Sequence, residues 1–380
     1  MQDFFTCAAV LIFAQTGYAG SAVVAQVFAS GSVDPFVLSW IRDTLAVPFM
    51  LALSIWVEGV HPPSRKELWK FALVGGVGIY AAQLMYILGL FLTNASVASL
   101  LSPTMPVMCS ILAVITGQED LPRLSRLHGC LKSGGILLAC CGAIMIVALG
   151  KSKSKGSDDD DDESSNARFI AGELLILGNC AASALYLVLQ KILFFGRAGQ
   201  KSELDAPNSL TAAGIAWREL PFTIIAYCYV VGAGFMTLTT MFLACVSPTY
   251  VPKDTHEHVS RFDVPAKAWI VLVYMVLVTS VFCYCAATWA NKRLPASVVT
   301  AFWPCQAMAG VLLSVVFLGA IPNLFDLLGG LAIILGLLAV CSGNHLLDAE
   351  ERMLCKNDSD LQVGPDINTS LLGCLPEQKT

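Results

Sequence analysis

Apolar residues fill most of this chain in runs of roughly 20, each closed by a short break of polar, glycine or proline residues. A run of that length crosses a bilayer as a helix, because only a helix satisfies its own backbone hydrogen bonds in hydrocarbon. The pattern predicts ten spans, at about 4–28, 36–57, 70–91, 95–117, 127–149, 169–193, 212–234, 267–289, 296–318 and 324–345. Apolar character continues past the seventh as far as Val246, so 235–246 either prolongs that helix or forms an interfacial piece. No run alternates polar and apolar with period two, which argues against a membrane barrel. The first run starts at Phe4, lacks a basic start and is too long for a signal-peptide core, so it reads as a span. The predicted fold class is an all-α integral membrane protein.

One apolar run occurs twice. Ala95-Ser-Val-Ala-Ser-Leu-Leu-Ser-Pro103 returns as Ala296-Ser-Val-Val-Thr-Ala-Phe-Trp-Pro304, and the register then holds to the end of the apolar region. Gly129 falls on Gly330, Gly135 on Gly336 and Gly142 on Gly343. Most matched positions are glycine, proline or small residues, which backbone geometry fixes more tightly than greasiness does. The ten spans therefore divide into two five-helix units, 1–150 and 169–346. An acidic hydrophilic linker, 151–168, joins them, and a polar tail expected to be mobile follows from 347 to 380. An odd number of spans per unit forces the two copies into opposite orientations, giving ten transmembrane helices as two inverted repeats. Alternate loops differ in basic content. Arg65, Lys66, Arg123, Arg126, Arg197, Lys201, Lys292 and Arg293 fall on one side and put both termini in the cytoplasm.

Composition narrows the class further. Apolar residues make up 56% and charged residues 13%, against about 45–50% and about 25% in soluble domains. The net charge of −5 lies largely in Asp158–Asp162 with Glu163, which reads as a solvated linker, and nothing points to nucleic acid. Most of the fourteen cysteines sit inside apolar runs, where they act as small hydrophobes. Their spacing offers no zinc pattern, so neither a metal nor a cofactor is expected.

Candidate chemistry lies inside the spans. Pro103, Pro106 and Pro304 each remove a backbone donor and would free the carbonyls of Ser99, Ser102 and Thr300. That predicts kinked fourth and ninth helices lining a cavity, unless neighbouring hydroxyls satisfy the break. Arg42-Asp43 falls in the second span and Arg218-Glu219 in the seventh, one basic–acidic pair per half. Adjacent helical residues point about 100° apart, so each member is expected to seek a partner elsewhere. Asp43, Arg218 and Glu219 are candidates for coupling or gating; structural ion pairing and snorkelling are the alternatives. Gln15, Tyr18, Arg42, Tyr80, Gln83, Tyr86, Ser99, Ser102, Tyr186, Gln190, Tyr284, Thr300, Trp303 and Gln306 are the candidate solute-binding residues. Tyr80, Gln83 and Tyr86 are three apart and share a face, and Gln83 falls on Tyr284 in the repeat register. Any one of these aromatics could instead be a packing or interface residue. Gly129, Gly134, Gly135, Gly329, Gly330 and Gly336 suit close helix approach, within the chain or in a homodimer.

The doubled unit, the stretch NASVASLLSPTMPVMCSILAVITGQEDL at 94–121, its partner LPASVVTAFWPCQAMAGVLLSVVFLG at 294–319 and the glycine-spaced helix after each carry a family likeness. On these features the chain resembles the drug/metabolite transporter superfamily, in its EamA-like branch, over nearly all of 1–346. It departs where Gln118-Glu119-Asp120 becomes Gly319-Ala320-Ile321, so no symmetric acidic role follows for Glu119. The resemblance implies a ten-span carrier or exchanger that moves a small polar metabolite by alternating access, with its site between the repeats. The expected partners are a small-molecule solute, the lipid bilayer, a proton or counter-solute and a second copy of the chain. A passive channel or receptor is the alternative reading. An intramembrane enzyme is the weakest, since none of the five histidines lies clearly at mid-membrane. Plasma membrane and endomembrane fit equally well, and the substrate is left open.

Overall fold

The computed structural model describes residues 2–28, 33–93, 98, 101–119, 126–149, 163–196, 216–247, 249–250, 259–319 and 324–361. Ten helical segments lie among them in the order of the apolar runs. They are α1 (Gln2–Phe28), α2 (Pro35–Glu58), α3 (Leu68–Leu92), α4 (Ser102–Ile115) and α5 (Leu127–Leu149). Then come α6 (Glu163–Gln190, prolonged by a π-helical turn Lys191–Phe195), α7 (Pro221–Val246) and α8 (Ala268–Arg293). The last two are α9 (Ala296–Ala301 and Cys305–Leu318) and α10 (Leu324–Leu361). Eight of the ten are long and apolar enough to cross a membrane; α4 and the apolar Leu327–Gly343 part of α10 are shorter. A two-residue antiparallel ribbon, Thr249–Tyr250 with Val259–Ser260, is the strand pairing among the described residues.

Local chemistry sets the helix ends. Asp34 caps α2 by accepting the Phe36 amide at 2.9 Å, and Pro35 takes the first helical position, where no donor is needed. Gly319 closes α9 in a left-handed conformation, φ 62°, that L side chains rarely adopt. Side chains such as Phe13, Trp56, Ile115 and Phe242 remain exposed on the outer surface, as hydrocarbon-facing residues should.

The helices pack as α5 on α10, α2 on α7, α3 on α6, α1 on α8 and α9, and α4 on α6 and α9. The α5–α10 contact is the most extensive. A Cβ built on Gly135 would lie 2.5 Å from the Gly336 carbonyl oxygen, and one on Gly336 would lie 2.6 Å from that of Gly135. Gly142 faces Gly329 and Gly343 faces His128, so the two helices run antiparallel. Of the glycines that suited close approach, Gly135, Gly329 and Gly336 are thus used within the chain, whereas Gly134 has nothing within 4 Å of an added Cβ.

Several expectations change. The seventh helix is Pro221–Val246 rather than 212–234, so 235–246 belongs to it. Proline at its first position and the 3₁₀ turn Trp217–Glu219 before it set that start. Arg218 and Glu219 therefore lie at the end of the bundle, outside the span. The tail is helical as far as Leu361, and helix α6 begins at Glu163 inside the expected linker. Ser99 and residues 150–162 and 362–380 lie outside the described residues.

The proline breaks are real, but the Ser102 and Thr300 carbonyls they would free are taken. The Ser102 carbonyl accepts the Met105 amide, and the Thr300 carbonyl accepts the Trp303 amide at 2.9 Å. Tightening into a 3₁₀ turn replaces each lost bond with one from a residue closer in sequence. Both hydroxyls bond back to their own helices, Ser102 to the Ala98 carbonyl at 2.7 Å and Thr300 to those of Ala296 and Ser297 at 3.1 Å.

Candidate functional site

Helices α3 and α8 each contain a π-helical stretch, Gly76–Ala81 and Met275–Cys283, at matching places in the two copies. Such insertions shift the side chains that follow them around the helix axis and recur at functional sites. Gln83 follows the first and Tyr284 the second, and both point into one polar cluster.

Arg42 and Asp43 form its charged part. The Arg42 Nη2 and Nε donate to Asp43 Oδ1 at 2.8 and 3.0 Å, so these neighbours do pair with each other, against the expectation from their helical angle. The long guanidinium stem folds back across the gap. Gln83 completes the unit, accepting from Arg42 through Oε1 and donating from Nε2 to Asp43 Oδ2 at 3.1 Å. Asp43 is 1% exposed. Burying this pair is tolerable only because most of its oxygens and donors are matched.

Aromatic rings surround it. Tyr229 of α7 donates to Ser280 at 2.9 Å, reaches Asp43 and packs edge-on to Tyr284, ring centres 5.3 Å apart. Tyr18 of α1 and Tyr186 of α6 lean on the same Tyr284 ring, and Tyr18 also meets Trp303 of α9. Beneath Tyr186, Gln190 donates to its hydroxyl at 2.8 Å and to Thr288 at 3.3 Å, while Asn291 donates to Gln190 Oε1 at 3.1 Å. Gln15 is buried, with its Oε1 unpartnered among the described residues.

Seven of the solute-binding candidates thus come together, Tyr18, Arg42, Gln83, Tyr186, Gln190, Tyr284 and Trp303, around the coupling candidate Asp43. Others do not join them. Tyr86 is 40% exposed, and Tyr80 bonds Thr239 at 2.7 Å beside Phe235. Gln306 sits half-buried one turn beyond Trp303, and Thr300 is buried against its own helix. Pro103 and Pro304 are buried at the α4 and α9 breaks, and Pro106 is buried in the first turn of α4 that follows. Tyr229, Ser280, Thr288 and Asn291 escaped the sequence reading. Their only signal was polarity within strongly apolar runs.

A second set of contacts ties the chain's two parts at one end of the bundle. Glu58, ending α2, accepts the Phe222 and Thr223 amides at 2.9 and 2.7 Å, capping α7. Glu67 accepts the Trp217 indole, and Lys292 donates to Glu219 at 2.8 Å. Glu119, after α4, accepts the Ser297 amide at 3.0 Å, the Ser297 hydroxyl and the Lys132 ammonium at 2.7 Å. Burial alone would push the Glu119 carboxyl up; the Lys132 charge and these hydrogen bonds outweigh it and hold the group below its usual value. At the other end, Arg261 bridges the Asp34 carboxylate and the Ser247 carbonyl. Among the described residues no three His, Cys, Asp or Glu converge as a metal site would need.

Comparison with known proteins supplies the class. The chain is 22% identical over 314 residues to an uncharacterized transporter of Archaeoglobus fulgidus, covering 82% of this chain and 90% of that one. It is 22% identical to the uncharacterized transporter YyaM of Bacillus subtilis, covering 78% and 81%. It is 23% identical to the WAT1-related protein At3g53210 of Arabidopsis thaliana, covering 93% and 89%. A solved crystal structure shares the fold at a TM-score of 0.65 and 14% identity, covering 90% of this chain and 98% of that chain. The family model described as the EamA-like transporter family matches residues 5–148 and 213–342, the two apolar stretches on either side of the linker. This chain is therefore a multi-pass membrane protein that belongs to the EamA-like transporter family.

Proposed function

We propose that this protein is a secondary carrier of a small polar metabolite, working by alternating access. It is built from ten spans in two inverted five-helix repeats, with both termini in the cytoplasm. The observation that carries the reading is the α5–α10 contact. Gly135 and Gly336 hold the same place in the two copies and touch each other, while Gly142–Gly329 and His128–Gly343 exchange roles across them. Two copies related by a two-fold axis in the membrane plane would meet in this way. The matched π stretches in α3 and α8 agree with it.

The solute site on this reading is the aromatic and amide cluster. Helices from both copies supply it, and Tyr18, Arg42, Gln83, Tyr284 and Trp303 keep part of their surface uncovered although they lie inside the bundle. Rings offer stacking area, and the amides and Arg42 offer directional hydrogen bonds. Asp43 is the coupling group. A proton on its carboxylate would dissolve the ion pair and release the Arg42 and Gln83 donors to the solute. The contacts of Glu58, Glu67 and Glu119 would form the gate on the cytoplasmic side, breaking as the halves rock.

The test is uptake into proteoliposomes of whichever amino acid, nucleoside, sugar or organic ion most raises the melting temperature of the purified protein. An inward proton gradient should raise wild-type uptake several-fold and leave Asp43→Asn uptake unchanged. Wild-type uptake indifferent to the gradient would remove Asp43 from coupling.

A further inference from the structure

A cavity of about 120 Å³ opens at the bundle end closed by these acids, lined by Gln118, Glu119, Lys191, Phe195, Lys292 and Arg293 among others. Lys191, at the start of the π turn ending α6, is only 8% exposed. Among the described residues no hydrogen bond or ion pair holds its ammonium. Glu119 is the acid acting on it, but that carboxylate is already engaged on both oxygens by Ser297 and Lys132. Lys292 is held at the rim by the exposed Glu219. Arg293 lies over the Trp289 ring at 3.9 Å and gives Nη1 to the Trp289 carbonyl, leaving most of its donor fork uncommitted. The cavity thus carries more positive charge than its own acids neutralise. A buried ammonium with no counter-charge is costly, and a bound anion removes that cost.

We propose that this cavity is a binding site for a small oxyanion, a carboxylate or phosphate group, held by Lys191 and reached through Arg293. Chemistry favours oxygen over halide, because a guanidinium fork matches paired oxygens and an ammonium offers three donors to them. The volume admits one such group with a few waters. The group arrives as a free ion or as the headgroup of an anionic lipid.

Both sources can be tested on the purified full chain in detergent. Melting temperature is read against inorganic phosphate, acetate and chloride at constant ionic strength. A parallel arm uses short-chain phosphatidic acid against diacylglycerol of the same chain length. Phosphate or acetate should stabilise saturably where chloride does not, with at least tenfold weaker binding, about 1.4 kcal/mol, in Lys191→Gln. Stabilisation by phosphatidic acid alone, lost in Lys191→Gln, keeps the site and identifies its occupant as a headgroup. If Lys191→Gln does not fold, Arg293→Gln serves, with several-fold weaker binding expected. The proposal is overturned if neither phosphate nor acetate outperforms chloride and phosphatidic acid does not outperform diacylglycerol, or if the folded variant binds as tightly as wild type. Neither arm depends on transport, so failure here leaves the carrier reading standing and failure of the uptake assay leaves this site standing.

Discussion

Asp43→Ala should destabilise the protein by about 3–5 kcal/mol, because it strands the Arg42 guanidinium inside the bundle. Arg42 donates to Asp43 at 2.8 and 3.0 Å and keeps only 17% of its side chain exposed, so water can offset little of the loss. Arg42→Ala should cost a similar amount by stranding the carboxylate. The informative variant is the pair. Arg42→Met with Asp43→Leu removes both charges, so its melting temperature should lie well above that of either single change. Thermal unfolding of the four proteins in one detergent makes the comparison. Singles that melt like wild type would mean the pair is solvated through a central opening and contributes no stability.

Gly135→Val should also be strongly destabilising, by about 1–3 kcal/mol or more. The new Cβ would sit 2.5 Å from the Gly336 carbonyl oxygen, and a backbone atom cannot swing aside as a flexible side chain can. The whole α5–α10 seam would have to open, since antiparallel backbones touch along its length. Gly134→Ala is the control. Nothing lies within 4 Å of its added Cβ, and alanine is the better helix former, so its melting temperature should equal or exceed that of wild type. Equal melting of Gly135→Val and wild type would contradict the packing described.

The sequence made the helices and the family legible because both rest on long signals. Runs of apolar residues exceed any soluble helix face, and the 95–103 and 296–304 copies share proline and small residues whose backbone demands do not drift. Gly135 and Gly336 were legible for the same reason. Helix α7 was misplaced because apolar residues continue on both sides of Pro221, and only the proline marks where a helix can begin. That error put Arg218 and Glu219 inside the membrane. The Arg42–Asp43 contact was missed because helical angles locate Cα–Cβ bonds, whereas arginine reaches several atoms beyond them.

Side-chain partners across the bundle were least legible. Glu58, Glu67 and Glu119 look like ordinary loop acids, yet each crosses to a group in the opposite part of the chain. The π stretches cannot be read from periodicity, since one extra residue per turn over a short piece barely alters an apolar pattern. The one in α3 ends at Ala81, between Tyr80 and Gln83, so Gln83 meets Arg42 and Asp43 while Tyr80 bonds Thr239.

The most direct test of a carrier with its site at this cluster is counterflow. Proteoliposomes preloaded with the stabilising solute are given a trace of the labelled solute outside. Wild type should accumulate label transiently and saturably. Tyr284→Ala, which removes the ring shared by Tyr18, Tyr186 and Tyr229, should lower that accumulation at least tenfold, while Tyr86→Ala should leave it unchanged. Label that only equilibrates without overshoot, or equal loss in Tyr284→Ala and Tyr86→Ala, would contradict the account.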